Sequence, residues 1–355
     1  MVYIILYKPL CCFIDQHCLK RPGFVSITHH KIAHAFKYIE INFKCPYMSI
    51  LIILRESSKL GITNSHQIIS SMFIIFHSFN ARSFHHKRKV CGTGSMLIGK
   101  VAIITGGARG IGEAAVRLFV ENGAMVVIAD ILDEEGKKLA EEMGAHTCAF
   151  HHCDVAVESD IEALVAFTVL KWGKLDIMYN NAGITLNGEG EGVLNMDMDK
   201  FDHIMSINLR GMALGVKHAA NAMVNAGTRG VIICTGSTAS VMAGMAPVAY
   251  TISKHAILGL VRAAASDLGK YGIRVNCISP APLTTPLLLE FFRHAFGNQN
   301  SSMEDARAWG DSFSNLKGHS LSPLDVALSA LYLASDDSNF VSGLNLMVDG
   351  GFTIT

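Results

Sequence analysis

Three side chains that can together move a proton stand in residues 231–254, VIICTGSTASVMAGMAPVAYTISK. The opening β-branched run predicts a buried strand, and Ser237 follows its end. Tyr250 and Lys254 are four residues apart, so on a helix they share one face. A hydroxyl, a phenol and an ammonium at one site can take the proton of an alcohol. The alternative is a surface pair, because Tyr-x-x-x-Lys also occurs by chance.

A glycine-rich turn between a predicted strand and a predicted helix indicates where a hydride acceptor binds. Residues 100–105 (KVAIIT) predict the strand and residues 113–122 the helix. Between them the spacing is Gly-x-x-x-Gly-x-Gly, in which glycines let the backbone approach a pyrophosphate at the helix N-terminus. A tight structural connection is the alternative. The predicted cofactor residues here are Gly106, Arg109, Gly110, Ile111 and Gly112.

The second predicted strand, residues 125–130 (MVVIAD), ends in a carboxylate. In a dinucleotide fold Asp130 stands where the adenosine ribose hydroxyls need an acceptor, and it would repel a 2′-phosphate. Arg109 acts in the opposite sense, since a guanidinium pairs with phosphate. We give Asp130 more weight, so the sequence favours NAD over NADP. The alternative is that Asp130 only caps the following helix.

Further candidates follow the third and fourth predicted strands. Asp154 can accept from an adenine amino group and Val155 can cover the ring, although a strand end and cap is the alternative. Asn181, Ala182 and Gly183 form a turn of small residues where a cofactor passes close to the backbone.

Two predicted helices complete the candidate site. Asn208 interrupts the apolar face of a long predicted helix over residues 201–225. Its side chain could be a structural amide with satisfied hydrogen bonds, or it could hold a water for proton transfer. Residues 287–296 (LLLEFFRHAF) belong to no clear layer, which favours a lid over a hydrophobic ligand, with a packed surface helix as the alternative. Met242 and Met245 are expected near this ligand.

Strands alternate with helices throughout residues 96–355, which predicts one α/β domain of the Rossmann type: a doubly wound parallel sheet with helices on both faces. This part holds 18 Lys/Arg against 27 Asp/Glu, a charge of −9 that disfavours nucleic-acid binding. Its cysteines fall on or beside predicted strands and are expected to be reduced core residues, which predicts a cytoplasmic protein. They are Cys148, Cys153, Cys234 and Cys277.

Residues 1–95 differ in composition, with 12 Lys/Arg against 3 Asp/Glu. They show neither helical nor strand periodicity, and their apolar runs are too short to span a membrane. We expect an unstructured extension that is either artefactual, with translation starting near Met96, or a transit segment directing the chain to a plastid or mitochondrion.

Together these residues resemble the short-chain dehydrogenases/reductases over essentially all of residues 96–355. The resemblance rests on residues 105–112 (TGGARGIG), residues 180–183 (NNAG), Asp154, Asn208, Ser237, Tyr250-x-x-x-Lys254, Pro280 and Thr285. Residues 314–318 (SNLKG) and 340–345 (FVSGLN) are similar to the plant group that contains secoisolariciresinol dehydrogenase and the terpene-alcohol dehydrogenases. Ala281 departs from the glycine that commonly follows the proline.

The resemblance implies an NAD-dependent dehydrogenase that oxidises a secondary alcohol of a hydrophobic terpenoid or phenolic metabolite. Tyr250 would be the general base, its pKa lowered by Lys254, which also binds the nicotinamide ribose. Ser237 would orient the substrate oxygen, Asn208 would hold the relay water and Thr285 would bond the carboxamide, beside Pro280. A homotetramer is also implied. The competing interpretations are an NADP-dependent carbonyl reductase and a non-redox NAD-binding cyclase or binding protein.

Overall fold

The computed structural model describes residues 96–185 and 192–354, together with the backbone of four strands within residues 1–95. The chain divides into two compact units, Met1–Cys91 and Gly92–Thr355, close to the boundary that composition predicts. Among the described residues, no helix is both long enough and apolar enough to cross a bilayer.

The first unit contains an antiparallel sheet in the order β1-β2-β3-β4. Its strands are β1 (Val25–Ala33), β2 (Phe36–Phe43), β3 (Ser49–Arg55) and β4 (Phe73–Phe76). These strands differ from the unstructured extension that we expect from periodicity. Runs such as SILIILR and FIIF are rich in isoleucine and phenylalanine, which favour strands even without alternation. The artefactual or transit-like origin of the segment stays a prediction.

The second unit is built on seven parallel strands in the order β11-β10-β9-β8-β5-β6-β7. Their central members are fully buried and rich in β-branched residues, as parallel strands covered on both faces require. The strands are β5 (Val101–Thr105), β6 (Met125–Asp130), β7 (Cys148–His152), β8 (Ile177–Asn180), β9 (Val231–Thr235), β10 (Arg274–Pro280) and β11 (Asn345–Val348).

The helices of this unit are α1 (Gly110–Glu121), α2 (Asp133–Met143), α3 (Glu158–Trp172), α4 (Met198–Met205), α5 (Met212–Asn225), α6 (Val248–Leu268), α7 (Pro286–Ala295), α8 (Met303–Phe313) and α9 (Pro323–Ala334). One apolar core joins the sheet to α3, α5 and α6, and a second joins its other face to α1, α2 and α9. Helices therefore cover both faces, and the predicted Rossmann-type fold is confirmed.

The strand order reverses between β5 and β8, because the chain runs outward from β5 to β7 and then returns to the other side. In doubly wound sheets ligands bind at this reversal, outside the carboxyl ends of the strands. Most predicted elements match the structure within a few residues. The exceptions are α8, which the sequence reading omits, and the predicted helix over residues 201–225, which is interrupted by a π-helical segment, Ser206–Gly211.

Candidate active site

A cavity of about 330 Å³ opens at the carboxyl ends of the strands. All of the predicted site residues line it except Asn208 and Gly112, which lie just behind its wall. The predicted residues that line it are Gly106, Arg109, Gly110, Ile111, Asp130, Asp154, Val155, Asn181, Ala182, Gly183, Ser237, Tyr250, Lys254, Pro280 and Thr285.

The glycine loop after β5 is shaped for close backbone contacts. Gly106 and Gly110 both have φ of +61°, which side chains rarely adopt. A Cβ on Gly106 would lie 2.8 Å from the Cα of Ala182, and a Cβ on Gly112 would lie 2.0 Å from the carbonyl oxygen of Gly106. The loop therefore brings the start of α1 against the cavity. Arg109, the N-cap residue, supplies no side-chain acceptor, so the first-turn N–H groups can bind an anion.

Asp130 closes the far end of the cavity at the carboxyl end of β6. Its two carboxylate oxygens accept from the N–H of Ala108 at 3.0 Å and of Leu132 at 3.1 Å. The side chain is 9% exposed, so the charge has one fixed position. Arg109 is exposed and forms no ion pair with any residue that the structure describes. The carboxylate, rather than the guanidinium, is thus the immobilised charge here.

Asp154 and Val155 lie at the end of β7, on the same side of the cavity as Asp130. One oxygen of Asp154 accepts from the N–H of Ala156 at 2.9 Å, which fixes the carboxylate and leaves its second oxygen for a ligand. Val155 packs against Gly211, where an added Cβ would lie 2.9 Å from its Cγ2. The pair is therefore held in place from both sides.

The turn after β8 is fastened to the ends of its neighbouring strands. The hydroxyl of Thr105 accepts from the N–H groups of Asn181 at 3.0 Å and Ala182 at 3.1 Å. The side-chain amide of Asn181 donates to the carbonyls of Thr105 and Gly106, and its oxygen accepts from Thr235 at 3.1 Å. Thr105 and Thr235 are missing from the predicted site. The signal for them was a threonine at the last position of a buried strand.

Ser237, Tyr250 and Lys254 meet at the end of β9. Ser237 caps a short 3-10 turn, and its Oγ accepts from the N–H of Ala239 at 3.1 Å, which directs the hydroxyl proton elsewhere. Lys254 is 3% exposed and donates from Nζ to the carbonyl of Thr235 at 2.9 Å. Its Nζ lies 5.5 Å from the centre of the Tyr250 ring. The one-face placement on a helix that the spacing predicts is observed in α6.

The protonation behaviour of this group differs from the expectation. Burial raises the pKa of Tyr250, and its hydrogen bond with Ser237 acts in the opposite direction. Burial also lowers the pKa of Lys254 from 10.5 to about 8. The predicted lowering of the phenol pKa by Lys254 is wrong for this geometry, because desolvation dominates and the ammonium bonds Thr235.

Asn208 lies in the π-helical segment between α4 and α5 and is completely buried. Its amide donates to the carbonyl of Ile184 at 2.9 Å and to the hydroxyl of Ser253 at 3.2 Å, while its oxygen accepts from the N–H of Ile184 at 2.9 Å. The structure thus supports the satisfied structural amide. Both amide protons are used, so a relay water would bond to an oxygen of this segment rather than to the amide nitrogen.

The predicted lid, residues 287–296, corresponds to α7. Leu287, Leu288 and Phe291 line the cavity, as does Met245. Met242 instead lines a second cavity, together with Val241, Asn345, Met347, Phe352 and Thr353.

An aromatic cluster that the sequence reading omits supports this lid. The ring of Trp309, on α8, lies 5.8 Å from Phe291, 5.9 Å from Phe292 and 6.1 Å from Phe296, measured between ring centres. Phe313 adds a fourth contact at 4.8 Å. Trp309 and Phe352 themselves line the cavity. The pocket is therefore polar at the strand ends and aromatic beneath α7 and α8, which suits a hydrophobic ligand.

Comparison with known proteins shows the family to which this fold belongs. A family model described as enoyl-(acyl carrier protein) reductase matches residues 106–353. A solved short-chain type dehydrogenase/reductase from Mycobacterium marinum superimposes with a TM-score of 0.66 at 29% identity, covering 74% of this chain and 98% of that one.

Plant proteins are more similar in sequence. Short-chain dehydrogenase reductase 4 of Arabidopsis thaliana is 45% identical over 77% of this chain and 89% of its own length. (+)-Borneol dehydrogenase 2 of Salvia officinalis is 46% identical, covering 73% of this chain and 91% of its own. Zerumbone synthase of Zingiber zerumbet is 45% identical, covering 73% and 96%.

Proposed function

Because the chain belongs to the short-chain dehydrogenase/reductase family and is an oxidoreductase, we propose that it oxidises a secondary alcohol of a hydrophobic terpenoid or phenolic metabolite to the ketone, with NAD. The observation that carries the proposal is the composition of the cavity at the carboxyl ends of the strands. It joins Ser237, Tyr250 and Lys254 to an immobilised Asp130 on one side and to an aromatic wall on the other.

The glycine loop after β5 fits a dinucleotide, since Gly106 and Gly112 leave no room for a Cβ and the first turn of α1 faces the cavity. NAD, when bound, would accept the hydride from the carbinol carbon. Tyr250 would take the hydroxyl proton, and Ser237 would donate to the substrate oxygen and fix its direction. Lys254, held by Thr235, would present its ammonium to the ribose and the phenol. The raised pKa of Tyr250 implies faster oxidation at alkaline pH.

The choice of NAD rests on Asp130. Two backbone N–H groups hold its carboxylate at the ribose end of the cavity, where a 2′-phosphate would meet an immovable negative charge. One observation favours the second candidate, an NADP-dependent carbonyl reductase: Arg109 lines the cavity, is exposed, and forms no ion pair among the described residues. A carboxylate fixed by two backbone N–H groups outweighs an exposed guanidinium, so NADP reduction ranks second.

The substrate class rests on the wall formed by α7 and α8. Leu287, Leu288, Phe291 and Trp309 offer apolar surface to a bulky hydrocarbon skeleton. The names of two relatives, a borneol dehydrogenase and a zerumbone synthase, accord with a terpenoid ligand.

A homotetramer is part of the proposal. Leu324, Leu328 and Tyr332 recur at intervals of four on the outer face of α9 and are 51%, 46% and 39% exposed. A helix that is apolar on its outer as well as its inner face usually packs against something on both. A second copy of the chain would cover this face.

The test follows absorbance of the reduced nicotinamide with the purified full chain, NAD or NADP, and a panel of terpene and phenolic alcohols. Turnover with NAD should fall by about 10²–10⁴-fold in Tyr250→Phe, because the general base is lost. Binding of NAD, followed by fluorescence, should persist in this variant. Tight NAD binding with no turnover of any alcohol would refute the proposal and favour a non-redox role.

A further inference from the structure

Two buried threonine hydroxyls in the cavity have no role in the proposed reaction. Thr185 is 9% exposed and Thr238 is 5% exposed, and both line the cavity. Neither hydroxyl has a hydrogen-bonding partner within residues 96–185 and 192–354. Nor is either oxygen sealed off, because Arg307 Nε is the one enclosed side-chain polar atom without a partner in those ranges. Both residues line the cavity, and neither hydroxyl oxygen is enclosed by protein.

The two threonines lie on separate loops, each next to proposed catalytic or cofactor residues in the sequence. Thr238 directly follows Ser237, so their Cα atoms are about 3.8 Å apart. Thr185 is two residues beyond Gly183, where an added Cβ would lie 3.6 Å from Lys254 Nζ. Ile184, between them, is fixed through both its N–H and its carbonyl by Asn208. The backbone that carries each threonine is thus anchored to the proposed catalytic residues.

Several other polar groups of the cavity wall are already paired. Thr235 and Asn181 bond each other, and the hydroxyl of Thr285 accepts from the N–H of Leu288 at 3.2 Å. The hydroxyls of Thr185 and Thr238, which are unpaired among the described residues, are thus available to a polar group on a ligand. An alcohol with one oxygen would place that oxygen between Ser237 and Tyr250 and leave both threonines facing hydrocarbon.

We propose that Thr185 and Thr238 form a second polar subsite, which binds an oxygen other than the one being oxidised. The preferred substrates are then diols or hydroxyketones on a hydrophobic skeleton rather than alcohols with a single oxygen. This inference rests on the proposed function and narrows its substrate class.

The test compares borneol with bornane-2,3-diol and bornane-2,5-diol, which share one skeleton, at saturating NAD. The full chain is assayed as wild type, Thr185→Val, Thr238→Val and Thr238→Ser. Valine keeps the shape of threonine and replaces the hydroxyl by a methyl group, whereas serine keeps the hydroxyl. Wild type should have a higher kcat/KM for at least one diol than for borneol. Each valine variant should reduce that value by about three- to tenfold, the effect of one neutral hydrogen bond.

In the expected result, both valine variants lower kcat/KM for the preferred diol more than kcat/KM for borneol, the KM for NAD does not rise, and Thr238→Ser retains the diol preference. Equal kcat/KM for borneol and the diols in wild type would overturn the subsite while leaving the dehydrogenase intact. Equal losses with all three alcohols, or a raised KM for NAD, would also overturn it, because the hydroxyls would then serve the fold or the cofactor. No turnover of any alcohol would refute the proposed function and this inference with it.

Discussion

Replacing Lys254 by methionine should stabilise the folded chain at neutral pH and at the same time abolish turnover. The side chain is 3% exposed, and burial lowers the pKa of its ammonium from 10.5 to about 8. A difference of about 2.5 between these pKa values corresponds to about 3 kcal/mol, the free energy spent on keeping the charge buried. The bond from Nζ to the carbonyl of Thr235 at 2.9 Å is lost in the variant and costs about 1 kcal/mol. The net gain is about 2 kcal/mol.

The pH dependence of this gain separates the buried charge from the lost hydrogen bond. Below about pH 8, Lys254 is charged in the folded and the unfolded chain, so the full penalty applies to wild type. Between about 8 and 10.5 the unfolded chain holds more protons than the folded one, so wild type gains stability as pH rises. Above 10.5 the penalty is gone. The advantage of Lys254→Met should therefore shrink steadily between pH 8 and pH 10.5.

The assay is thermal unfolding of both proteins without nucleotide at pH 7, 8, 9 and 10. At pH 7 the variant should melt about 4–8 °C higher, since 1 kcal/mol shifts Tm by about 2–4 °C in a domain of this size. Lys171, an exposed lysine on α3, provides the control, because Lys171→Met should show no such trend. A variant that melts lower by the same amount at every pH would refute the reasoning, since it would show that the buried ammonium carries no penalty.

Two other substitutions test the cofactor end of the cavity. Asp130→Asn should raise the ratio of kcat/KM for NADP to kcat/KM for NAD by roughly tenfold or more. The reason is that a fixed unit charge near the ribose repels a phosphate charge by about 3 kcal/mol at a separation of about 5 Å. An unchanged ratio would show that Asp130 does not determine the choice of cofactor. Gly112→Ala should lower Tm and weaken NAD binding, because its Cβ would lie 2.0 Å from the carbonyl oxygen of Gly106. The matched control is Gly259→Ala, because nothing lies within 4 Å of a Cβ at that position, and it should stabilise α6 by up to about 1 kcal/mol. If the two variants changed Tm and NAD binding alike, the packing argument would be contradicted.

The sequence predicts the sheet well because its strands are short, continuous apolar runs that end in polar or turn-forming residues. The second strand is predicted and observed at the same residues, 125–130, since a β-branched run ends there in Asp130. The helix start at Ser322 is also confirmed, with a capping box between Ser322 and Asp325. A similar signal precedes α8, where Ser302 and Asp305 form a capping box. The sequence does not predict this helix because its residues are mostly polar, so the apolar face that carries Trp309 is not evident from the pattern.

Other features depend on packing that no local pattern encodes. The π-helical segment places Asn208 against Ile184 and Ser253, which are distant in sequence. The pKa of Tyr250 rises because the surrounding fold removes water, whereas the spacing from Lys254 alone implies the opposite. Sequence reasoning therefore finds which residues meet, but not how far each is desolvated.

The end of β9 explains why the fold tolerates a buried ammonium. The carbonyl of Thr235 accepts from Lys254, and the hydroxyl of Thr235 lies 3.1 Å from the oxygen of Asn181 and 3.2 Å from the hydroxyl of Tyr179. One residue thus fixes the proposed catalytic lysine and, through Asn181, the turn that the cofactor would pass. Because β9 is buried between β8 and β10, the sheet sets the position of that residue. The free energy that the burial of Lys254 costs is offset by the apolar cores on both faces of the sheet, so the penalty falls on the one lysine that we propose to act in the reaction.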